Sequence, residues 1–366
     1  MKIKVLHITH AHGGIKTYIE NIVKYSDADK FEHYIVGTNV ETNYGEYFRS
    51  KHNIFIDRQP HPVYDVVALI KIMFFIYTIE PDIVHCHSAK GGLLGRIASK
   101  LFNKKCVYTP NAFSYLGFQG IKRHLFISLE KLVKNIANTF LAVSYTEAKR
   151  AEIDIGYPKD KIFTVQNSIE VKELDLLPMN IPLRRIGMIG RLIYQKNPLM
   201  FLKVALLVHK DYPDIQFELL GAGYQDFLAE EVDCFIKKNK MEQYCSIHSW
   251  GINQPEVKGF YRTLSIFILT SNFEGLSYSL LEAMAEGIPC VATDADGNRD
   301  VITSGINGFI VPCNDAVGMA QKINQLLSDE TLYRQISLKG YQTVFENHNI
   351  QKNILQYECI YLGLCE

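Results

Sequence analysis

The chain of 366 residues has no surplus of charge of either sign, with 39 Lys and Arg against 39 Asp and Glu. A nucleic-acid partner, which would call for a basic surplus, is not expected. It has no Cys-x-x-Cys pair: the eight Cys stand apart at 86, 106, 234, 245, 290, 313, 359 and 365. That spacing excludes a disulfide framework and a zinc site, and reads as buried free thiols in a reducing compartment. It has no clean apolar run of the roughly 18–20 residues that a membrane span needs. The most apolar window, Val63 to Ile79, contains Asp65 and Lys71 and reads as a buried helix. Met1-Lys-Ile-Lys-Val-Leu enters a strand-like run with no secretory leader. Internal repeats and low-complexity tracts are missing as well.

What is present is ordinary globular composition, 47% hydrophobic with 24 Gly and 12 Pro. At roughly 100–200 residues per domain, the length suggests two domains. Charge is unevenly spread: residues 1–165 hold 22 basic and 15 acidic residues, a net of +7, and the remainder holds 17 and 24, a net of −7. Such asymmetry can orient a protein on an anionic surface, or it can be chance variation on a solvated one. Short apolar runs at 4–9, 33–37, 54–56, 83–86, 106–109, 139–143 and 162–165 alternate with helical patterns. That alternation predicts an α/β domain with a mostly parallel, doubly wound sheet. Gly13-Gly14, after the first run and before a helix near Ile15, would let the backbone approach a ligand closely. His85 and His87 end the run at 83–86. They are read as pointing to opposite faces of the strand, with His87 on the ligand side.

The region from Val171 to Leu183, with Pro178 and Pro182, has neither period and reads as a linker. Expected domains are therefore 1–170 and 184–345, with a further helix in 346–366. In the second domain, Gly190-Arg191 and Lys196 sit near the start of a helix, where two cations could clamp a diphosphate. Gly221 belongs to Gly-Ala-Gly, a fragment of the dinucleotide pattern whose third Gly is replaced by Asp226, so a nicotinamide site is weakly supported. Ser144 with Glu147 reads as a capping box. Ile121 to Ile136 reads as an amphipathic helix with a basic face, which suits either anionic lipid or open solvent.

The chain is organised around Ser271 to Cys290. This stretch reads as a strand end, a tight loop at Glu274-Gly275, a helix from about Leu276 to Glu286, and a further strand. Backbone N–H groups near Gly275, Leu276 and Ser277, at the helix start, attract phosphate. Glu274 lies before the helix and Glu282 about two turns along it, so the two can bracket a bound molecule.

This stretch resembles the Glu-x7-Glu signature of the retaining glycosyltransferases of family 4. Leu-Leu-Glu-Ala-Met-Ala, Gly-Ile-Pro-Cys-Val-Ala-Thr and Asp-Gly-Asn-Arg-Asp300 follow in the family's order. Gly13-Gly14-Ile-Lys-Thr-Tyr18, the turn at Gln166 to Glu170, and Gly190-Arg191 with Lys196 resemble further family segments. The resemblance implies an α/β GT-B fold, two doubly wound Rossmann-like domains facing across a cleft, with the last helix crossing back to the first domain. It implies transfer of a sugar from a nucleotide diphosphosugar, most plainly a UDP-sugar, to an oligosaccharide or lipid-linked acceptor. No metal or other cofactor is implied. Catalytic roles fall on Glu274, Arg191 and Lys196, and donor contacts on Gly14, Asn111, Gly190, Gly221, Gly275, Leu276, Ser277 and Glu282. Gly13 and His87 fall on the acceptor side. Asn111 stands where the family commonly has His, and Asn can hydrogen-bond a hydroxyl but cannot carry a proton. Asp294-Ala-Asp296 and Asp27-Ala-Asp29 spell a metal-binding pattern of another transferase fold, and are read as chance. An epimerase of the same fold and a non-catalytic sugar-nucleotide binder are the competing classes. The first would convert a UDP-sugar without an acceptor, and the second would release no UDP.

Overall fold

The computed structural model describes residues 2–10, 13–57, 60–173, 184–222, 227–249 and 254–366. These fall into two compact units, Met1–Ser168 with Ile350–Glu366, and Ile169–Asn349. Most of the expected linker, 174–183, lies outside the described residues, as do Gly223 and Asp226 of the dinucleotide-like fragment.

The first unit runs β1 (Ile3–Thr9), α1 (Gly14–Tyr25), β2 (Phe31–Gly37), α2 (Val40–Asn43), β3 (Ser50–Asn53), α3 (Pro62–Ile79), β4 (Ile83–His87), α4 (Ala89–Leu101), β5 (Lys105–Thr109), α5 (Gly120–Val133), β6 (Thr139–Ala142), α6 (Tyr145–Arg150) and β7 (Ile162–Thr164). Its seven strands, in the order β3-β2-β1-β4-β5-β6-β7, all pair in parallel. Right-handed crossovers then place α1 on one face and α3, α4 and α5 on the other. The central strands are fully buried because helices cover both faces.

Two glycines seat α4 directly on the sheet. A Cβ at Gly92 would overlap the Tyr108 ring, and one at Gly95 would come within 2.5 Å of Cys86 Sγ. Arg96 on the same helix is buried. Its guanidinium is 3.0 Å from Glu130 of α5 and 3.2 Å from the Tyr157 hydroxyl, and lies 3.8 Å over the Tyr108 ring. The Tyr108 hydroxyl donates to the other Glu130 oxygen at 2.9 Å. The charge is thus paired and hydrogen-bonded where solvent cannot reach it.

Three expectations change here. The strand expected at 54–56 lies four residues earlier, in the polar Ser50–Asn53, because β3 is an edge strand paired with β2 alone; Ile54 and Ile56 enter the core just after it. The helix at Val63–Ile79 is not buried. Ala68, Ile72 and Ile76 are buried in the core and Leu69, Met73, Phe75 and Ile79 pack partly against it, while Val63, Val66, Ile70, Phe74 and Tyr77 stand in the open. Finally, His85 and His87 share a face of β4, their rings 4.1 Å apart, because side chains alternate with a period of two.

The second unit runs β8 (Arg185–Ile189), α7 (Pro198–Asp211), β9 (Gln216–Ala222), α8 (Ala229–Lys238), β10 (Cys245–Ser249), α9 (Gln254–Tyr261), β11 (Ile266–Leu269), α10 (Tyr278–Ala285), β12 (Cys290–Thr293), α11 (Asn298–Val301), β13 (Phe309–Val311), α12 (Ala316–Ser328) and α13 (Glu330–Asn347). Its parallel sheet has the order β10-β9-β8-β11-β12-β13. Its Leu, Ile and Val runs are buried on both faces, as Ile266–Leu269 illustrates. The last helix, α14 (Ile350–Cys365), belongs to the first unit and packs on α1.

Candidate functional site

In the second sheet β8 and β11 are neighbours, and the chain leaves them in opposite directions, toward β9 and toward β12. Ligands of open α/β sheets bind at such switch points, outside the carboxyl ends of the strands. The loop after β8 carries Gly190, Arg191, Gln195 and Lys196, and the loop after β11 carries Ser271, Glu274 and Gly275.

The two loops are stitched together. Thr270 Oγ1 donates to the carbonyls of Lys196 and Asn197 at 2.9 and 3.0 Å. The Asn272 side chain donates to the Tyr194 carbonyl at 2.7 Å, and its backbone N–H to the Gln195 carbonyl at 2.8 Å. This scaffold brings Lys196 Nζ to 2.5 Å from Glu274 Oε1, which also accepts from Ser271 Oγ at 2.6 Å. Gln195 Nε2 stands 3.4 Å from the other carboxylate oxygen. Glu274 is only 6% exposed, so its charge depends on these partners. Gly190 leaves room for the Lys196 stem, whose Cγ would lie 3.2 Å from a Cβ there. Gly221 has φ +139°, and a Cβ on it would come within 2.5 Å of the Gly190 carbonyl. Arg191 follows Gly190 and is half-buried.

The helix after Glu274 begins at Tyr278, two residues later than expected, with Ser277 as its N-cap. Gly275 and Leu276 form the approach to it, and a Cβ on Gly297 would overlap the Gly275 carbonyl. Glu282 lies in the second turn, half-buried, and accepts a 2.8 Å hydrogen bond from the Tyr261 hydroxyl. Burial pushes its carboxyl up to about 7, against the opposing pull of the Tyr261 bond and Lys258. Asp294 of the Asp-x-Asp pattern pairs with Arg299 at 2.8 Å and so closes its own loop. In Asp27-Ala-Asp29, Asp27 Oδ1 accepts the Asp29 N–H at 2.9 Å and Oδ2 pairs with Lys30 at 3.0 Å, another local turn.

The remaining candidates belong to the first unit, at its own switch point between β1 and β4. Gly13, at φ +70°, caps α1, and Gly14 is the first residue of that helix. Asn111 and Ala112 after β5 are both left-handed, at φ +53° and +79°. Buried Glu147 holds that loop, accepting the Ala112 N–H at 2.7 Å and the Val143 N–H at 2.8 Å. Ser144 caps α6 as expected, accepting the Glu147 N–H at 3.1 Å.

His87 ends β4 inside a cluster that the sequence reading did not assemble. The ligand nitrogens of His7, His85 and His87 lie within 4.8 Å of one another. A metal would need a free lone pair from each ring. His85 has both nitrogens engaged, by the Tyr361 hydroxyl at 2.7 Å and Thr109 Oγ1 at 2.9 Å. His7 has both engaged as well, by His33 and His87 at 3.0 Å each. Only His87 Nδ1 has no partner. Gln195, Ser271, Tyr261, His7 and His33 were all missed from sequence. Gln195 and Ser271 flank recognised motifs, whereas Tyr261 and the histidines of separate strands meet only through the fold.

Two family models match the chain: "Glycosyltransferase Family 4" over residues 12–173 and "Glycosyl transferases group 1" over 182–343. The chain is a family 4 glycosyltransferase. Among its curated relatives, an Escherichia coli UDP-Gal:alpha-D-GlcNAc-diphosphoundecaprenol alpha-1,3-galactosyltransferase is 26% identical over 82% of this chain and 80% of its own length. The Staphylococcus aureus capsular polysaccharide biosynthesis glycosyltransferase CapM is 24% identical over 76% of each. Among solved structures, a sucrose-phosphate synthase from Thermosynechococcus elongatus superposes with a TM-score of 0.86 over 99% of both chains at 16% identity. Anabaena HepE, solved with UDP and glucose, gives 0.78 over 98% of this chain and 99% of that one at 18% identity. The two parallel-sheet α/β units of this transferase are those of the GT-B fold.

Proposed function

We propose that this transferase moves a hexosyl or N-acetylhexosaminyl group from a UDP-sugar to a growing, lipid-linked surface-polysaccharide precursor. The anomeric configuration is retained, and no metal takes part. The observation that carries the reading is the Lys196–Glu274 pair, locked between two loops at the β8/β11 switch point. Departure of the nucleoside diphosphate is the hard step. Arg191, Lys196 and the backbone around Gly275, Leu276 and Ser277 stabilise charge growing on the leaving phosphate. Gly190 and Gly221 allow the backbone to approach the donor, Glu274 orients the sugar hydroxyls, and Glu282 takes the ribose. Gly14 and Asn111 lend further donor contacts, and Gly13 and His87 serve the acceptor. With Asn at 111, the leaving phosphate takes the acceptor's proton. Relatives named for undecaprenol-linked and capsular substrates support this acceptor class. UDP release from a UDP-sugar panel, with the product anomer read by proton NMR, tests the proposal. An inverted anomer, or full activity in Glu274→Ala, overturns it.

We further propose that the enzyme works in the cytoplasm, at the inner face of the plasma membrane, and one surface of the first unit suits that place. The open face of α3 is apolar, with Phe74 59% exposed. On the same side of the sheet, α5 exposes Ile121 (89%), Leu125 and Leu132 beside Lys122, Arg123 and Lys131. Apolar side chains flanked by cations match an anionic bilayer surface. Sedimentation with anionic vesicles is expected, and is expected to be lost in Ile70→Glu/Phe74→Glu. Equal recovery of the wild type and the double variant, or of the wild type with anionic and neutral vesicles, contradicts the membrane reading.

A further inference from the structure

One feature of the first unit runs from its surface to the carboxyl end of β4. Half-buried Ser26, just after α1, meets His33 Nε2 at 2.8 Å. His33 Nδ1 meets His7 Nε2 at 3.0 Å, and His7 Nδ1 meets His87 Nε2 at 3.0 Å. The chain ends at His87 Nδ1, fully buried and without a partner. The rings are stacked, with centroids 5.2 Å apart for His7 and His33 and 5.3 Å for His7 and His87. Tyr18 stands edge-on to the His87 ring, with centroids 5.7 Å apart.

Burial holds the imidazoles of His7 and His87 well below their ordinary value and lowers that of His33 to about 4. At neutral pH each ring is therefore uncharged and carries one proton. Every bond between two rings needs one N–H and one lone pair. With one proton per ring, fixing one tautomer fixes the next. Only two states satisfy all the links. In the first, all three rings carry the proton on Nε2, Ser26 accepts from His33, and His87 Nδ1 is a bare lone pair. In the second, all three carry it on Nδ1, Ser26 gives up its 3.3 Å bond to the Val23 carbonyl and donates to His33, and His87 Nδ1 is an N–H donor. In either state the buried end is unsatisfied, a condition that native structures rarely leave unfilled.

We propose that Ser26, His33, His7 and His87 form a tautomer-coupled chain that ends in a binding position at His87 Nδ1, and that this position takes a hydroxyl of the saccharide acceptor. A hydroxyl suits both states, since it donates to the lone pair or accepts from the N–H. The chain makes His87 a positioning contact whose polarity is set from Ser26. The choice of a saccharide rests on the transferase reading; the tautomer coupling does not.

The test uses full-length protein labelled with 15N-histidine, with tautomers read by long-range proton–nitrogen correlation at pH 7. His7, His33 and His87 are expected to be neutral and to share one tautomer or to exchange between the two together. Mixed fixed tautomers, or an imidazolium among the three, overturn the coupling. Ser26→Ala removes both the acceptor of the first state and the donor of the second, and is expected to shift the tautomer populations of all three rings together; a change confined to His33, or no change at any ring, overturns the coupling. For the ligand, methyl N-acetylglucosaminide and methyl galactoside are added at millimolar concentration. One of them is expected to move the His87 Nδ1 signal more than any other histidine signal, and silence from both overturns the binding position. His87→Gln can keep the bond to His7 while deleting Nδ1. It is expected to raise the acceptor KM about tenfold with kcat within a fewfold, and an unchanged KM refutes the assignment. Failure of UDP binding with the tautomer coupling intact would instead count against the transferase reading of the β8/β11 residues alone.

Discussion

Among the described residues Lys196 has one anionic partner, and that partner competes with any diphosphate. Its ammonium lies 2.5 Å from Glu274, with side-chain exposures of 16% and 7%. A charge-assisted hydrogen bond contributes about 1.5–3 kcal/mol net. Lys196→Met therefore should weaken UDP binding by about 10- to 150-fold at 1.36 kcal/mol per decade. Glu274→Gln acts in the opposite sense on the same equilibrium. It keeps the shape and an oxygen for Ser271, but removes the negative charge that holds Lys196 away from the phosphate. UDP affinity should stay equal or rise a fewfold, while turnover falls by about a hundredfold or more as the sugar loses its anchor. Isothermal titration with UDP and a coupled UDP-release assay separate the two quantities. If Glu274→Gln loses as much UDP affinity as Lys196→Met, Glu274 belongs to the nucleotide site and the division of labour is wrong.

Other consequences concern stability and pH. Glu130→Leu leaves the Arg96 guanidinium buried beside Tyr108 without its counter-charge. It should cost about 3–5 kcal/mol, and Arg96→Met/Glu130→Leu should recover most of that in chemical denaturation; a single-variant loss under about 1 kcal/mol contradicts the burial argument. Glu282, pushed up to about 7 in the folded state, has an unfolded value near 4.5. The folded state then binds more protons between these values, so this group's contribution to stability is fullest below about 4 and declines as pH rises to about 7. Melting curves of Glu282→Gln should lack that decline relative to wild type. Gly221→Ala forces a side chain onto φ +139° against the Gly190 carbonyl. It should cost roughly 1–3 kcal/mol and weaken UDP binding, and an unchanged melting temperature would refute the packing. Arg191→Ala should lower both UDP affinity and turnover, and a loss confined to one of them contradicts its role at the leaving phosphate.

Much of this was legible in the chain because parallel sheets write themselves as apolar runs between helical patterns, and because Glu274, Lys196 and Gly190 sit in motifs with local spacing. Strand ends were readable to within one or two residues where both faces are buried, as at β4 and β6. They were misread at β3, where an edge position tolerates Ser, Lys, His and Asn. The apolarity of α3 was visible, yet its outward direction was not: composition gives how apolar a helix is, and only packing shows which neighbours cover it. The error over His85 and His87 was one of strand geometry, since residues two apart share a face. Even with that corrected, no local pattern joins His7, His33 and His87, which come from three strands. Gln195 and Tyr261 likewise acquire meaning only when loops distant in sequence meet.

The most direct test is a melting-temperature panel of the full chain with UDP, GDP, ADP, NAD and several UDP-sugars. A ligand at about 100 times its dissociation constant stabilises by about 2.7 kcal/mol. UDP and at least one UDP-sugar should raise the melting temperature, and Lys196→Met should cut the UDP stabilisation at the same concentration to about half or less. No response to any diphosphate, or a UDP shift undiminished in Lys196→Met, would mean that the β8/β11 switch point does not hold the donor.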